Sequence, residues 1–208
     1  MGKCKVKICG LTRPQDIEVV NELQPEYIGF VFWEHSKRNV MPENAAKLRA
    51  KLVPGIKVVG VFVDADIDFI LGLVKCGTID IAQLHGNEDE QYIRTLREKL
   101  KAEENCPDDT KIIKAFNINK VSSFDEIEES SADYVMLDPG KGDGITFDWD
   151  KAKNIRRPYF LAGGLSPENV REVVEQIGPY AVDVSSGVET DGVKDRDKII
   201  NFVHRCRG

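Results

Sequence analysis

Cys9 and Asp138 are the two residues of this chain best suited to exchange protons with a substrate. Each closes a short apolar run, Lys7-Ile8-Cys9 in one case and Val135-Met136-Leu137-Asp138 in the other. A thiolate can take a proton and a carboxylic acid can give one when the surroundings set each pKa. Plainer readings stand beside this one. A lone cysteine is usually a small buried hydrophobe, and Asp138 could cap the glycine-rich loop after it. A carboxylate ending so apolar a run still needs partners.

A second signal comes from small residues. Gly163-Gly164-Leu165-Ser166 leads into a helical pattern, and Ser185-Ser186-Gly187 follows an apolar run. Glycines let backbone N–H groups approach an anion, and helix N-termini add partial positive charge. Arg38, Gln83, His85 and Asp183 supply further groups for substrate anions or hydroxyls. Arg38 could equally be solvated in its polar loop, and Gln83 and Asp183 could fill a polar layer of the core. His35 and His204 have no supporting context and read as surface residues.

These residues need elements to position them. Eight strand-like runs occupy 5–9, 27–32, 57–63, 79–84, 112–116, 134–137, 159–162 and 181–184. Helical periodicity separates them: Ile67, Ile70, Leu71 and Val74 fall at i, i+3, i+4 and i+7, and Val170, Val173, Val174 and Ile177 repeat the spacing. Thr12 to Gln15 and Asn87 to Glu90 resemble capping boxes, Ser166-Pro167 reads as an N-cap with proline at the first helical position, and Pro42 opens a helix with Met41 where a cap belongs. Strands alternating with helices imply parallel pairing, and nearly continuous apolar runs such as 58–63 suit strands covered on both faces.

Eight units in 208 residues leave 26 residues per unit. That favours an α/β architecture, a single-domain (β/α)8 TIM barrel over residues 1–208, rather than a doubly wound sheet. No GxGxxG follows the first strand, which removes the main sign of a dinucleotide fold. The polar segment 103–110 reads as an exposed loop on the N-terminal face. In such a barrel the chemistry sits at the C-terminal strand ends, and phosphate is often held by the loops after strands 7 and 8. The two Gly/Ser segments fall in that pair of loops, so Gly163, Gly164, Ser185, Ser186 and Gly187 are read as phosphate ligands.

Composition narrows the partners. The formal charge is −6, with 29 Lys and Arg against 35 Asp and Glu and no long basic run. This argues against nucleic acid or an anionic membrane surface. No stretch approaches the roughly 20 apolar residues of a membrane span. Five dispersed cysteines without a signal-like N-terminus point to reduced thiols in the cytoplasm. The Cys and His residues form no short-spaced ligand pairs, so no metal is expected.

Taken together, the pieces Lys7-Ile8-Cys9-Gly10, Gly29 to Phe32 with Ser36-Lys37-Arg38, Gln83-Leu84-His85-Gly86, Leu137-Asp138 with Phe147-Asp148-Trp149, Leu161 to Leu165 and Asp183 to Glu189 resemble the phosphoribosylanthranilate isomerases of tryptophan biosynthesis. The resemblance runs in order along essentially the whole chain. It implies an Amadori rearrangement of N-(5-phosphoribosyl)anthranilate without a cofactor. Asp138 would be the acid that opens the ribose ring and Cys9 the base at C2. It also implies that Arg38 contacts the anthranilate part, that Gln83, His85 and Asp183 line the pocket, and that Gly164, Ser185 and Ser186 hold the phosphate.

One departure is visible: the loop from Asp138 to Gly144 is shorter than the family's usual Gly-Gly-Thr-Gly loop and has Asp143 in place of Thr. The partner implied is a small phosphosugar-anthranilate substrate, and a homodimer or association with other enzymes of the pathway stays open, since the helix faces select neither. The related histidine-pathway isomerase would have aspartate where Cys9 stands and a second phosphate site. A non-catalytic phosphosugar-binding barrel would not need an intact acid and base.

Overall fold

Each apolar run is too short for a stable helix and rich in β-branched residues, so each becomes a strand. In the computed structural model, which describes residues 4–121, 123–140, 152, 153 and 155–208, the order is β1 (Lys5–Cys9), α1 (Pro14–Leu23), β2 (Tyr27–Val31), α2 (Pro42–Arg49), β3 (Lys57–Phe62), α3 (Ile67–Lys75), β4 (Ile81–Leu84), α4 (Glu90–Ala102), β5 (Lys111–Asn117), α5 (Phe124–Glu128) and β6 (Tyr134–Asp138). There follow β7 (Tyr159–Leu161), α6 (Val170–Ile177), β8 (Ala181–Val184), the two-residue strands β9 (Glu189–Thr190) and β10 (Val193–Lys194), and α7 (Arg196–Arg207). Strands β1 to β8 close into one parallel barrel, with β8 returning to β1. The sequence motif at 147–149 and the loop residues 141–144 lie outside the described residues, as do residues 1–3. Among the described residues, no helix is long and apolar enough to cross a membrane.

The strands agree with the sequence reading to within two residues, but several helix starts differ. Arg13 rather than Thr12 is the N-cap of α1, because Pro14 fills the first helical position and the Asp16 carboxylate turns back to accept from the backbone N–H groups of both Thr12 and Arg13. Asp89, not Asn87, caps α4, accepting from Tyr92 N at 2.8 Å. Asn87 instead binds the Asp64 carboxylate. Ser166 starts a turn, and α6 begins only at Val170 after Asn169. The ribbon of β9 and β10 has no counterpart in the sequence reading, since two-residue strands carry no periodicity.

The core has two layers. One lies between sheet and helices; the other fills the barrel, where Phe160 is fully buried. Its ring meets Tyr27, Tyr134 and Tyr180 edge-on, with centroids 5.2, 5.7 and 5.7 Å away. Below them Lys5 Nζ donates to Tyr180 OH at 2.7 Å and lies over the same ring. Phe160 thus plugs the lower barrel, and Phe160→Ala is expected to cost about 3–5 kcal/mol, because the strands around it cannot collapse onto the void. Urea denaturation measures this; a loss below about 1 kcal/mol would mean that the ring fills no essential volume.

Candidate active site

Parallel strands all deliver their C-terminal ends to one face, so residues far apart in the chain meet there. Cys9, Arg38, Gln83, His85, Asp138, Gly163, Gly164, Asp183, Ser185, Ser186 and Gly187, every site residue read from the sequence, line a single cavity of about 550 Å³. His35 and His204 are exposed and lie outside it, as expected. Register places the groups. Cys9 stands opposite Gly29 on β2, Lys7 opposite Asp183 on β8, and Asp138 opposite Asn117 on β5.

Asp138 is held by a chain of polar groups. Gln83 Nε2 donates to His85 Nδ1 at 2.9 Å, which leaves the ring proton on Nε2, 3.2 Å from Asp138 Oδ2. Gly140 N donates to Asp138 Oδ1 at 2.8 Å. Burial alone would raise the Asp138 pKa, but the His85 hydrogen bond, the Gly140 N–H and the Lys7 charge outweigh it and hold the carboxyl below its usual range. His85 is itself anchored from below. Buried Glu88 accepts from Asp64 N and Gly86 N at 2.8 Å and from Lys114 Nζ at 2.9 Å, tying the loops after β3 and β4 to β5.

Cys9 is 7% exposed. Burial is the largest influence on its thiol and pushes it up, Lys7 and Lys194 pull it down, and the Asp183 charge pushes it up again; the net direction is upward. At neutral pH the free protein therefore holds Asp138 as carboxylate and Cys9 as thiol.

The Gly163-Gly164 turn is a backbone requirement. Both residues have positive φ (85° and 67°), and a Cβ on Gly163 would collide with Pro139. Asn169 fixes this turn, donating through Nδ2 to Gly164 O at 2.8 Å and accepting from Ser166 N at 2.9 Å. The facing loop is held by Lys194, whose Nζ reaches Ser185 O at 2.9 Å and Glu189 at 2.5 Å. Arg38 donates Nε and one terminal nitrogen to the same Glu189, each at 2.6 Å, leaving its other terminal nitrogen for a ligand. Glu189 is held below its usual range because these two cations outweigh the effect of burial.

Five contributors were given no site role in the sequence reading: Lys7 and Glu189, which stand inside its motifs, and Trp33, Asn169 and Lys194. Lys7 was findable, since it stands two residues before Cys9 on the same strand face. Trp33 lines the mouth, 38% exposed, with its ring edge-on to His35. Lys194 returns only through the β9–β10 ribbon. Among the described residues, no group of three or more His, Cys, Asp or Glu side chains could hold a metal ion.

Comparison with known proteins adds an independent observation. A family model described as N-(5'phosphoribosyl)anthranilate (PRA) isomerase matches residues 6–205. The N-(5'-phosphoribosyl)anthranilate isomerase of Endomicrobium trichonymphae is 43% identical over 209 positions, covering 98% of each chain. The crystal structure of phosphoribosyl anthranilate isomerase from Thermotoga maritima superposes with a TM-score of 0.82 at 35% identity over 99% of both chains. A crystal structure of such an isomerase in complex with reduced 1-(o-carboxyphenylamino)-1-deoxyribulose 5-phosphate gives 0.79 at 34% identity, again over 99% of each.

Proposed function

Since the chain belongs to the N-(5'-phosphoribosyl)anthranilate isomerase family and is an enzyme of tryptophan biosynthesis, we propose that one catalytic domain, residues 1–208, performs the Amadori rearrangement with Asp138 as general acid and Cys9 as general base. Protonated Asp138 gives its proton to the furanose ring oxygen. The bond from that oxygen to C1 breaks as the anthranilate nitrogen forms a C1=N bond. The Cys9 thiolate then removes the C2 proton, and the electron pair left behind forms C1=C2 while neutralising the nitrogen. The enolamine becomes the ketone when C1 gains a proton and the C2 hydroxyl loses one. One passage leaves Asp138 ionised and Cys9 protonated, and exchange with water restores the starting pair. This chemistry calls for no cofactor.

Binding follows from the same wall. Backbone N–H groups of Gly163, Gly164, Ser186 and Gly187, with the Ser186 hydroxyl, suit the phosphate, and Ser185, whose hydroxyl donates to Cys9 O at 3.1 Å, shapes the loop that presents them. The free terminal nitrogen of Arg38 suits the anthranilate carboxylate, and Trp33 with Val31 and Val61 offers the ring an apolar wall. Gln83 Oε1 is buried without a partner, so it can accept from a substrate hydroxyl. Asp183 faces the same space. These local donors reconcile a doubly anionic substrate with a chain of net charge −6. We place the enzyme in the cytoplasm, in keeping with five cysteines that form no disulfide among the described residues.

The observation that carries this reading is the single cavity shared by Cys9, Asp138 and the two Gly/Ser loops. The test is turnover of freshly generated phosphoribosylanthranilate, followed by its fluorescence, with complementation of a tryptophan auxotroph lacking this step. Tight binding without turnover would point instead to a binding protein. Lys194→Met should release the Ser185 loop and raise KM about tenfold while weakening competition by inorganic phosphate, since a charged hydrogen bond contributes about 1.5–3 kcal/mol. Unchanged phosphate competition would remove Lys194 from the phosphate loop's support.

A further inference from the structure

Lys7 has no part in the mechanism above, yet it is the most costly residue in the barrel to bury. Its side chain is 0% exposed, and an ammonium shut away from water loses several kcal/mol of solvation unless it is fully paired. A well-packed apolar residue would serve stability at least as well. The position therefore asks for a reason other than stability.

Its surroundings supply one. Lys7 Nζ donates to Asp183 Oδ1 at 2.9 Å. Cys9 lies two residues further along β1, on the same face, beside Gly29 of β2. Gly29 has no side chain to separate them: a Cβ there would stand 2.8 Å from Cys9 Sγ and 3.2 Å from Lys7 Nζ. The thiol and the ammonium thus converge over one glycine, each within 3.2 Å of the place its Cβ would take. An ammonium has three donors, so it can serve Asp183 and Cys9 at once.

We propose that Lys7 is a positioning residue whose buried ammonium, kept charged by Asp183, receives the negative charge of Cys9 Sγ when that thiol gives its proton to water. The inference rests on the reading of Cys9 as the base. Burial disfavours the charged form of Lys7, but the Asp183 and Cys9 charges outweigh it, so the ammonium titrates above the ordinary lysine value. Four charged groups face Cys9: Lys7 from its own strand, Asp183 from β8, Arg38 from the loop after β2 and Lys194 from the ribbon. Arg38 and Lys194 are both bound to Glu189, and Lys7 is the cation that converges with the sulfur over Gly29. Asp183 acts in two senses: it keeps Lys7 charged, and its own charge opposes the thiolate.

The two partners should therefore shift Cys9 in opposite directions, which a structural role alone would not do. The experiment measures the rate of Cys9 alkylation by iodoacetamide against pH, by peptide mass spectrometry, in the wild type, Lys7→Met, Lys7→Arg and Asp183→Asn. Lys7→Met is expected to move the alkylation midpoint to higher pH and slow alkylation at pH 8 about tenfold or more. Its kcat should fall about 10²-fold with KM little changed, and Lys7→Arg should restore part of the loss. Asp183→Asn removes the carboxylate that opposes the thiolate, while the thiolate itself keeps Lys7 charged, so it is expected to move the midpoint to lower pH. Wild-type midpoints in Lys7→Met, or in Asp183→Asn if Lys7→Met does not fold, would overturn the proposal. Cys9→Ala with normal turnover would instead overturn the base assignment and leave the alkylation shifts standing.

Discussion

Asp138→Asn should lower kcat by about 10²–10⁴-fold, the range expected for loss of a general acid. The variant keeps the volume and the oxygen that accepts from Gly140 N, so the backbone after β6 has no reason to move. It removes the dissociable proton. It also turns an amide N–H₂ toward the Nε2 proton of His85, which asks the ring to change tautomer against the Gln83 donor. The pH profile gives a sharper test than the rate.

The acid must be protonated, yet Asp138 is held below the usual carboxylate range. The base must be ionised, yet Cys9 is held above the usual thiol value. Between those two pKa values, each step up in pH gains thiolate in the proportion that it loses acid. The kcat/KM of the wild type should therefore be flat through neutrality. It should fall at acid pH, where Asp138 is saturated and thiolate continues to disappear, and at alkaline pH, where the reverse holds. Asp138→Asn should convert that plateau into a steady rise with pH up to the Cys9 pKa. A variant that retains the plateau, or most of the turnover, would show that another group supplies the proton.

Cys9→Ala should produce a loss of the same order, about 10²–10⁴-fold in kcat, with substrate affinity largely kept. Among the described residues no second group is placed to replace it: Lys7 is held in its charged form, and Asp183 is committed to Lys7. Serine is not expected to rescue, because an alkoxide is far harder to form beside the same ammonium. The residual activity should decline with pH above the Asp138 pKa, the mirror image of the Asp138→Asn profile. Turnover within about fivefold of the wild type would remove Cys9 as the base. The two profiles together separate acid from base, which neither rate can do alone.

Much of this was legible in the chain. Short apolar, β-branched runs alternate with segments of about 3.6-residue periodicity along the sequence, so the elements and their alternation follow from neighbours a few positions apart. Eight such units permit little besides a closed barrel, and the barrel rule then aims every strand end at one face. That is why all eleven site residues read from strand ends line one cavity. The helix starts were less legible because capping is a contest among nearby polar groups. Arg13 prevailed over its neighbour Thr12 because Pro14 and the Asp16 carboxylate fix the start of α1, and Asp89 prevailed over Asn87 two positions away.

What the sequence determined by itself is therefore the scaffold and the inventory: which residues face the pocket and which chemistry their types allow. The tertiary structure decided their partners and the direction in which each pKa is displaced. Asp183 reaches Lys7 across 176 positions, Glu189 reaches Arg38 across 151, and the ribbon brings Lys194 back under Ser185. A pKa depends on desolvation and on charges within a few ångströms. Those charges arrive from remote parts of the chain, and desolvation exists only once the barrel has closed. A thiol and a carboxyl could be named as a proton-transfer pair from their neighbours in sequence; that the free protein holds each further from the protonation state the reaction needs is the work of neighbours in space.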